Sequence, residues 1–156
     1  MVETEKPYLL LNDTILFLGE IPRSTDFEKG WPIVHCQKDG QEVWDAIEDD
    51  TSIVMNIKDK GLVILSGCAH AGIVNTVRHA IAVTGIEKIH VVMGGFHLAG
   101  PSFEPTIDRT TQELQKIHPD YVIPTHCTGR KAIMAMEKQM PDQFILNMSG
   151  TKLTFN

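Results

Sequence analysis

The sequence predicts a single α/β domain, residues 1–156, built on a mixed sheet, and three observations predict it. A buried strand is expected over residues 62–65, because an uninterrupted apolar run stops abruptly at Ser66 and Gly67, presents Cys68 and His70, and gives way to a helical pattern. The same succession of apolar run, glycine or proline turn and histidine recurs after residues 89–93 and 121–123, so three strand ends present His70, His97 and His126. Around residues 71–84 the order strand, helix, strand is that of a parallel pair. A right-handed crossover then sets the carboxyl ends of neighbouring strands along one edge, where open α/β sheets bind ligands.

From the start of the chain, residues 8–11 and 15–18 are apolar runs on either side of Asn12 and Asp13 and read as a hairpin. Gly19-Glu20-Ile21-Pro22-Arg23 leads into a long polar loop through Gly30, Pro32 and Gly40. Loops beyond ~12–15 residues are usually functional or disordered, and this one reads as a lid, a partner-binding arm or a mobile surface excursion. Glu20 and Arg23 read first as a surface ion pair, with Arg23 a substrate contact on the second reading. The acids of residues 42–50, among them Asp45, Glu48, Asp49 and Asp50, read as a solvated loop rather than metal ligands.

Residues 52–57 and 62–65 are two strands around Lys58-Asp59-Lys60-Gly61, whose glycine accepts the positive φ of a tight turn. A helix over 71–84 carries Ile73, Val74, Val77, Ala80 and Ile81 on one face, leaves Arg78 and His79 at the surface, and is closed by Gly85. A second helix begins at Glu104 or Pro105 and runs to about His118, with the proline where its missing amide is harmless. A third spans 130–140, its Met134, Met136 and Met140 read as core filler, and residues 144–146 and 152–155 read as a terminal strand pair.

A chain of 156 residues is long enough to bury one core. Its net charge of −6 argues against nucleic acid or an anionic membrane surface as the main partner. Three cysteines without close spacing, Cys36, Cys68 and Cys127, do not make a disulfide framework and point to a reducing interior. No run approaches the ~20 apolar residues of a membrane span, and the charged start lacks a signal-peptide pattern, so a soluble cytoplasmic protein is expected.

Taken singly, each strand-end histidine reads as a hydrogen-bonded structural residue. Core packing gives no reason to place three imidazoles after three glycine or proline turns, whereas a metal ion does: neutral imidazole binds zinc and also suits iron. Cys68 and Cys127 read either as further ligands or neighbours of the site, or as small buried packing residues.

Four stretches, Gly19-Glu20-Ile21-Pro22-Arg23, the run from Gly61 through Gly67-Cys68-Ala69-His70-Ala71-Gly72 to Thr76, Gly94-Gly95-Phe96-His97-Leu98, and Pro124-Thr125-His126-Cys127-Thr128-Gly129, together resemble the metallo-β-lactamase superfamily. The likeness is to the branch of metal-dependent hydrolases similar to ribofuranosylaminobenzene phosphate synthase. It implies a divalent metal, zinc first and iron or manganese as alternatives, with His126 matching the family's last metal histidine, then His70 and His97. Arg23 and Phe96 are candidate substrate contacts, and the catalytic acid or base is left unassigned. The family's first half carries an HxHxDH motif that supplies most of a dinuclear site, and that motif does not occur in this sequence. The resemblance therefore implies the C-terminal half of an αββα sandwich, a mixed sheet with helices on one face.

A sheet covered on one face leaves the other apolar, and large exposed apolar patches are uncommon on soluble monomers. Two partners are expected on that ground: a separately encoded N-terminal half bearing HxHxDH, or a second copy of the chain in a homodimer. The implied activity is that of a metal-dependent hydrolase on a phosphoester or related substrate, completed by a second chain. The alternative is a non-catalytic metal-binding or interaction module that keeps the half-fold.

Overall fold

A computed structural model describes residues 3–155. Six strands form the main sheet: β1 (Tyr8–Leu10), β2 (Ile15–Phe17), β5 (Ser52–Ile57), β6 (Gly61–Ser66), β7 (Ile89–Gly94) and β8 (Tyr121–Pro124), hydrogen-bonded in that order. The pairs from β1 to β6 are antiparallel, and β6–β7 and β7–β8 are parallel. Hairpins therefore build one half of the sheet and crossovers the other, as the sequence predicts. β3 (His35–Lys38) and β4 (Gln41–Trp44) make a separate two-stranded ribbon within the long polar loop, where no strands are expected from the sequence.

The β5–β6 turn needs its glycine. Gly61 has φ +111°, and a Cβ there would collide with the backbone of Lys88. The crossover helices are α1 (Ile73–Thr84) between β6 and β7 and α2 (Ile107–Ile117) between β7 and β8, with α3 (Arg130–Gln139) after β8. Helix α1 ends at Gly85 in the left-handed conformation, with its amide bonded to the Ile81 carbonyl at 2.8 Å. A Cβ at Gly85 would meet nothing within 4 Å, so Gly85→Ala should lose only the conformational preference, about 1–2 kcal/mol, in denaturant unfolding.

Side-chain alternation along the strands divides the sheet's two faces. Leu62 and Ile64 of β6, Val92 of β7 and Val122 of β8 join Ile73, Val74, Val77, Leu114, Ala132 and Met136 in the main core beneath the helices. Val63, Val91 and Ile123 point to the opposite face, where Ile145, Leu153 and Phe155 of the C-terminal segment pack on them. The chain thus covers the centre of its own second face.

Two expectations need correction here. Residues 144–146 and 152–155 do not pair; Phe144 makes an isolated parallel bridge to Val122, a turn closes from Met148 to Thr151, and Leu153 and Phe155 lie on the sheet by side-chain contact alone. His79 is half-buried rather than superficial, because its Nε2 sits 3.1 Å from the Leu18 carbonyl. No helix among the described residues is long and apolar enough to cross a membrane.

Candidate metal centre at the strand ends

The carboxyl ends of β6, β7 and β8 carry three turns that meet at one rim. Two of them hold residues in the left-handed region, Ala69 at φ +52° and His97 at φ +44°, a conformation that non-glycine residues keep only where the surroundings impose it. Gly95, after β7, is pinned between the other two turns: its amide donates to the Gly67 carbonyl at 3.0 Å, and a Cβ on it would lie 2.6 Å from that oxygen and 2.8 Å from His126 Cε1. Absence of a side chain at Gly95 is what lets the turns after β6 and β8 touch across β7.

Cys68, His126 and Cys127 are gathered there, with their donor atoms all within 4.8 Å of one another. Cys68 Sγ lies 3.3 Å from His126 Nε2. On its other side the His126 ring is held by Thr125, whose Oγ1 is 2.9 Å from Nδ1. Burial pushes the Cys127 thiol up to about 11, and the neighbouring Cys68 adds to the rise.

His70 and His97 form a second group beside the first, their ring centroids 4.2 Å apart. Trp31 stacks on His70 with an interplanar angle of 12°, and Phe103 meets His97 edge-on at 4.6 Å. The Nδ1 atoms of both histidines are buried with no hydrogen-bond partner. Burial, then the charges of His70 and His126, hold His97 below the ordinary histidine range, against an opposing pull from Asp50. The structure thus sets His70 beside His97, and His126 beside the two thiols; neither His70 nor His97 joins the group of Cys68, His126 and Cys127.

A cavity of about 580 Å³ opens beside His70 and His97, with Phe27, Trp44, Phe96 and Phe103 among its walls and Lys29 on its lining. Phe96 reaches that wall but is 1% exposed and belongs to the main core. Arg23 is not on the wall; its guanidinium donates to the Ala46 carbonyl instead of pairing with Glu20. No ion pair of Glu20 with Arg23 occurs among the described residues.

Several residues that hold the site together are not singled out by the sequence pattern. Helix α1 begins at Gly72 without a side-chain cap of its own, and Glu28 supplies one from the long loop, accepting the amides of Val74 at 3.1 Å and Asn75 at 2.9 Å. Asn75 returns the contact: its Oδ1 accepts the amides of Ser24 and Thr25, and its Nδ2 donates to the Glu28 and Ala71 carbonyls. Asp50 accepts the Ala71 amide at 3.0 Å, which fixes the turn directly after His70. The signal available for Glu28 was the uncapped helix start itself, which leaves donors in need of a partner.

Nitrogen and sulfur donors on three turns, two of them imidazole nitrogens buried without partners, fit a transition-metal ion of the zinc class.

No family model matches the chain. It is 35% identical over 144 residues to the 7,8-dihydropterin-6-methyl-4-(beta-D-ribofuranosyl)-aminobenzene-5'-phosphate synthase of Methanocaldococcus jannaschii, covering 90% of this chain and 48% of the synthase. An uncharacterized protein of the same organism is 34% identical over 134 residues, or 86% of this chain and 47% of that protein. The crystal structure of Tm1679, a metal-dependent hydrolase of the beta-lactamase superfamily, superposes with a TM-score of 0.86 at 24% identity, over 99% of this chain and 58% of that one. The resemblance carried by the histidine-bearing turns thus holds: the chain has the metallo-β-lactamase-superfamily fold and spans about half the length of the curated relatives it matches.

Proposed function

We propose that this chain is the C-terminal half of a metal-dependent hydrolase-like protein acting on a phosphoester or related substrate, and that a second polypeptide completes its metal site. The observation that carries the reading is the meeting of Cys68, His70, His97, His126 and Cys127 at one sheet edge, His70 and His97 lining a cavity of about 580 Å³. His70, His97 and His126 would each contribute to the metal centre, His126 together with the thiols of Cys68 and Cys127, and His70 together with His97. A bound divalent ion supplies Lewis acidity and lowers the pKa of water to about 7.

The chain's own residues do the rest. Trp31 and Phe103 fix the imidazole planes and keep bulk water from their inner edges. The aromatic walls offer faces to a planar ring, and Lys29 offers a charge to a phosphate. The synthase relative is named for a compound that joins a dihydropterin to an aminobenzene ring bearing a ribofuranosyl phosphate, and such a cavity suits a ligand of that aromatic, phosphorylated class. Zinc is the ion that best matches mixed imidazole and thiolate donors. The three free thiols, Cys36, Cys68 and Cys127, favour the reducing cytoplasm.

The completing polypeptide is either an N-terminal half bearing HxHxDH or a second copy. Hydrolysis of a chromogenic phosphoester by zinc-loaded chain should be feeble alone and should rise at least tenfold when an HxHxDH-bearing N-terminal half from a relative is added. Absence of any gain would remove the two-chain reading. A non-catalytic interaction module is favoured by a different observation, the run Tyr8, Leu9, Leu10 and Leu11 at the free edge of the sheet, every one of them exposed. An unpaired edge with apolar side chains is a template for another strand.

A further inference from the structure

We infer that this chain, without any partner, binds one thiophilic divalent cation of the zinc class through Cys68, His126 and Cys127, a donor set separate from the imidazole pair His70 and His97. The inference deepens the metal-dependent reading above by assigning a particular ion site on this half alone. Histidines placed after strands do not imply it; the two sulfurs do.

Four features of the structure argue for it. First, the spacing is that of a coordination sphere. With Zn–S near 2.3 Å and Zn–N near 2.0–2.1 Å, tetrahedral angles set neighbouring donors roughly 3.5–3.8 Å apart. Cys68 Sγ and His126 Nε2 are 3.3 Å apart, and the three donors lie within 4.8 Å of one another. Second, His126 is oriented from behind. With the ring proton on Nδ1 and donated to Thr125 Oγ1 at 2.9 Å, the lone pair of Nε2 faces the sulfur of Cys68. A partner of that kind on the far ring nitrogen is the usual way a metal-binding imidazole is fixed.

Third, the cradle is built. Gly95 leaves the space into which Cys127 Sγ and the edge of His126 project, and any larger residue would displace both. Fourth, the donors come from two turns that are 58 residues apart at Cys68 and His126, so their meeting is a property of the folded sheet and not of local sequence. Thiolate pairs with one imidazole select zinc-class ions over magnesium or calcium, which take oxygen donors. Three protein donors leave a fourth position open to a water, a substrate or a residue of the completing polypeptide.

The test is a cobalt(II) titration of the untagged 156-residue chain carrying Cys36→Ser, under a non-thiol reductant. Expected is saturation at one equivalent with thiolate-to-cobalt charge-transfer absorption, lost on adding one equivalent of zinc. Cys68→Ser and Cys127→Ser should each weaken binding roughly tenfold or more and remove most of the charge-transfer band. His70→Ala with His97→Ala should leave the band in place. Saturation without the band, or a band indifferent to both cysteine substitutions, overturns the assignment. Should a variant fail to fold, X-ray absorption of the zinc-loaded parent decides: two sulfur neighbours are expected, and none refutes the site. Because these measurements need neither substrate nor partner, their failure is separable from a failure of the phosphoester assay, which tests the hydrolase reading alone.

Discussion

Gly95→Ala should both destabilise the fold and disable metal binding, whereas Gly67→Ala, one strand away, should do neither. A methyl group on Gly95 would stand 2.6 Å from the Gly67 carbonyl oxygen and 2.8 Å from His126 Cε1, and it would also strike Cys127 Sγ. The first of these atoms is backbone, tied to the Gly95 amide by a hydrogen bond of 3.0 Å, so it cannot rotate away as a flexible side chain would. Relief requires the turns after β6 and β8 to move apart. Forcing an extra methyl into a packed site typically costs about 1–3 kcal/mol, and the upper part of that range is expected where backbone must shift. The same displacement separates Cys68 from His126, so metal affinity should fall roughly tenfold or more. At Gly67 an added Cβ meets nothing within 4 Å, and its φ is not in the left-handed region. Denaturant midpoints and zinc competition on both variants check the contrast. Wild-type stability and affinity in Gly95→Ala would mean that the turns do not need to touch.

How much of this was legible in the sequence depends on which physical signal each part leaves. The strands β6, β7 and β8 were readable because strands buried on both faces need nearly continuous apolar runs, and their ends because glycine and proline interrupt those runs sharply. Helix α1 was readable from its apolar stripe and from Gly85. The β3–β4 ribbon was not, since most of its residues are exposed and leave no alternation to see. A signal did exist: Asp39-Gly40, at φ +53° and +77°, is the dipeptide that two-residue hairpin turns prefer. The candidate site was legible in which side chains reach the strand ends and not in how they group. Periodicity places His70, His97 and His126 on one edge, yet the side-chain partition, His126 with the thiols and His70 with His97, follows from Gly95 and from Trp31 stacking across the loop. Asp50 reads as solvated and Glu28 is not singled out at all, because their partners are backbone amides, which carry no sequence signature.

The largest pH-dependent effect on stability should come from Glu28. Its carboxyl is buried against the start of α1, and that burial, outweighing the amides of Val74, Asn75 and Ile73 and the charge of Arg78, pushes it up to about 7 from an ordinary value of 4.5. A raised value in the folded state means that the fold binds the proton more tightly than the unfolded chain does. Stability from this group is therefore complete below pH 4.5 and is lost progressively as the pH rises to about 7, where the buried side chain ionises. Each tenfold difference in proton affinity between the folded and unfolded chain is worth about 1.4 kcal/mol, so the loss is on the order of 3 kcal/mol. Glu28→Gln cannot ionise, and the difference in unfolding free energy between wild type and this variant should change by that amount between pH 4 and pH 8, in favour of the variant at the alkaline end. Comparing the two proteins cancels the histidines that titrate in the same window. Glu28→Ala should instead be destabilised at every pH, because the amides of Val74 and Asn75 would be buried without an acceptor, at about 1–3 kcal/mol for each lost partner. A pH-independent difference between wild type and Glu28→Gln in urea unfolding would show that Glu28 is already ionised, and that helix α1 is held by a charge rather than by a neutral carboxyl.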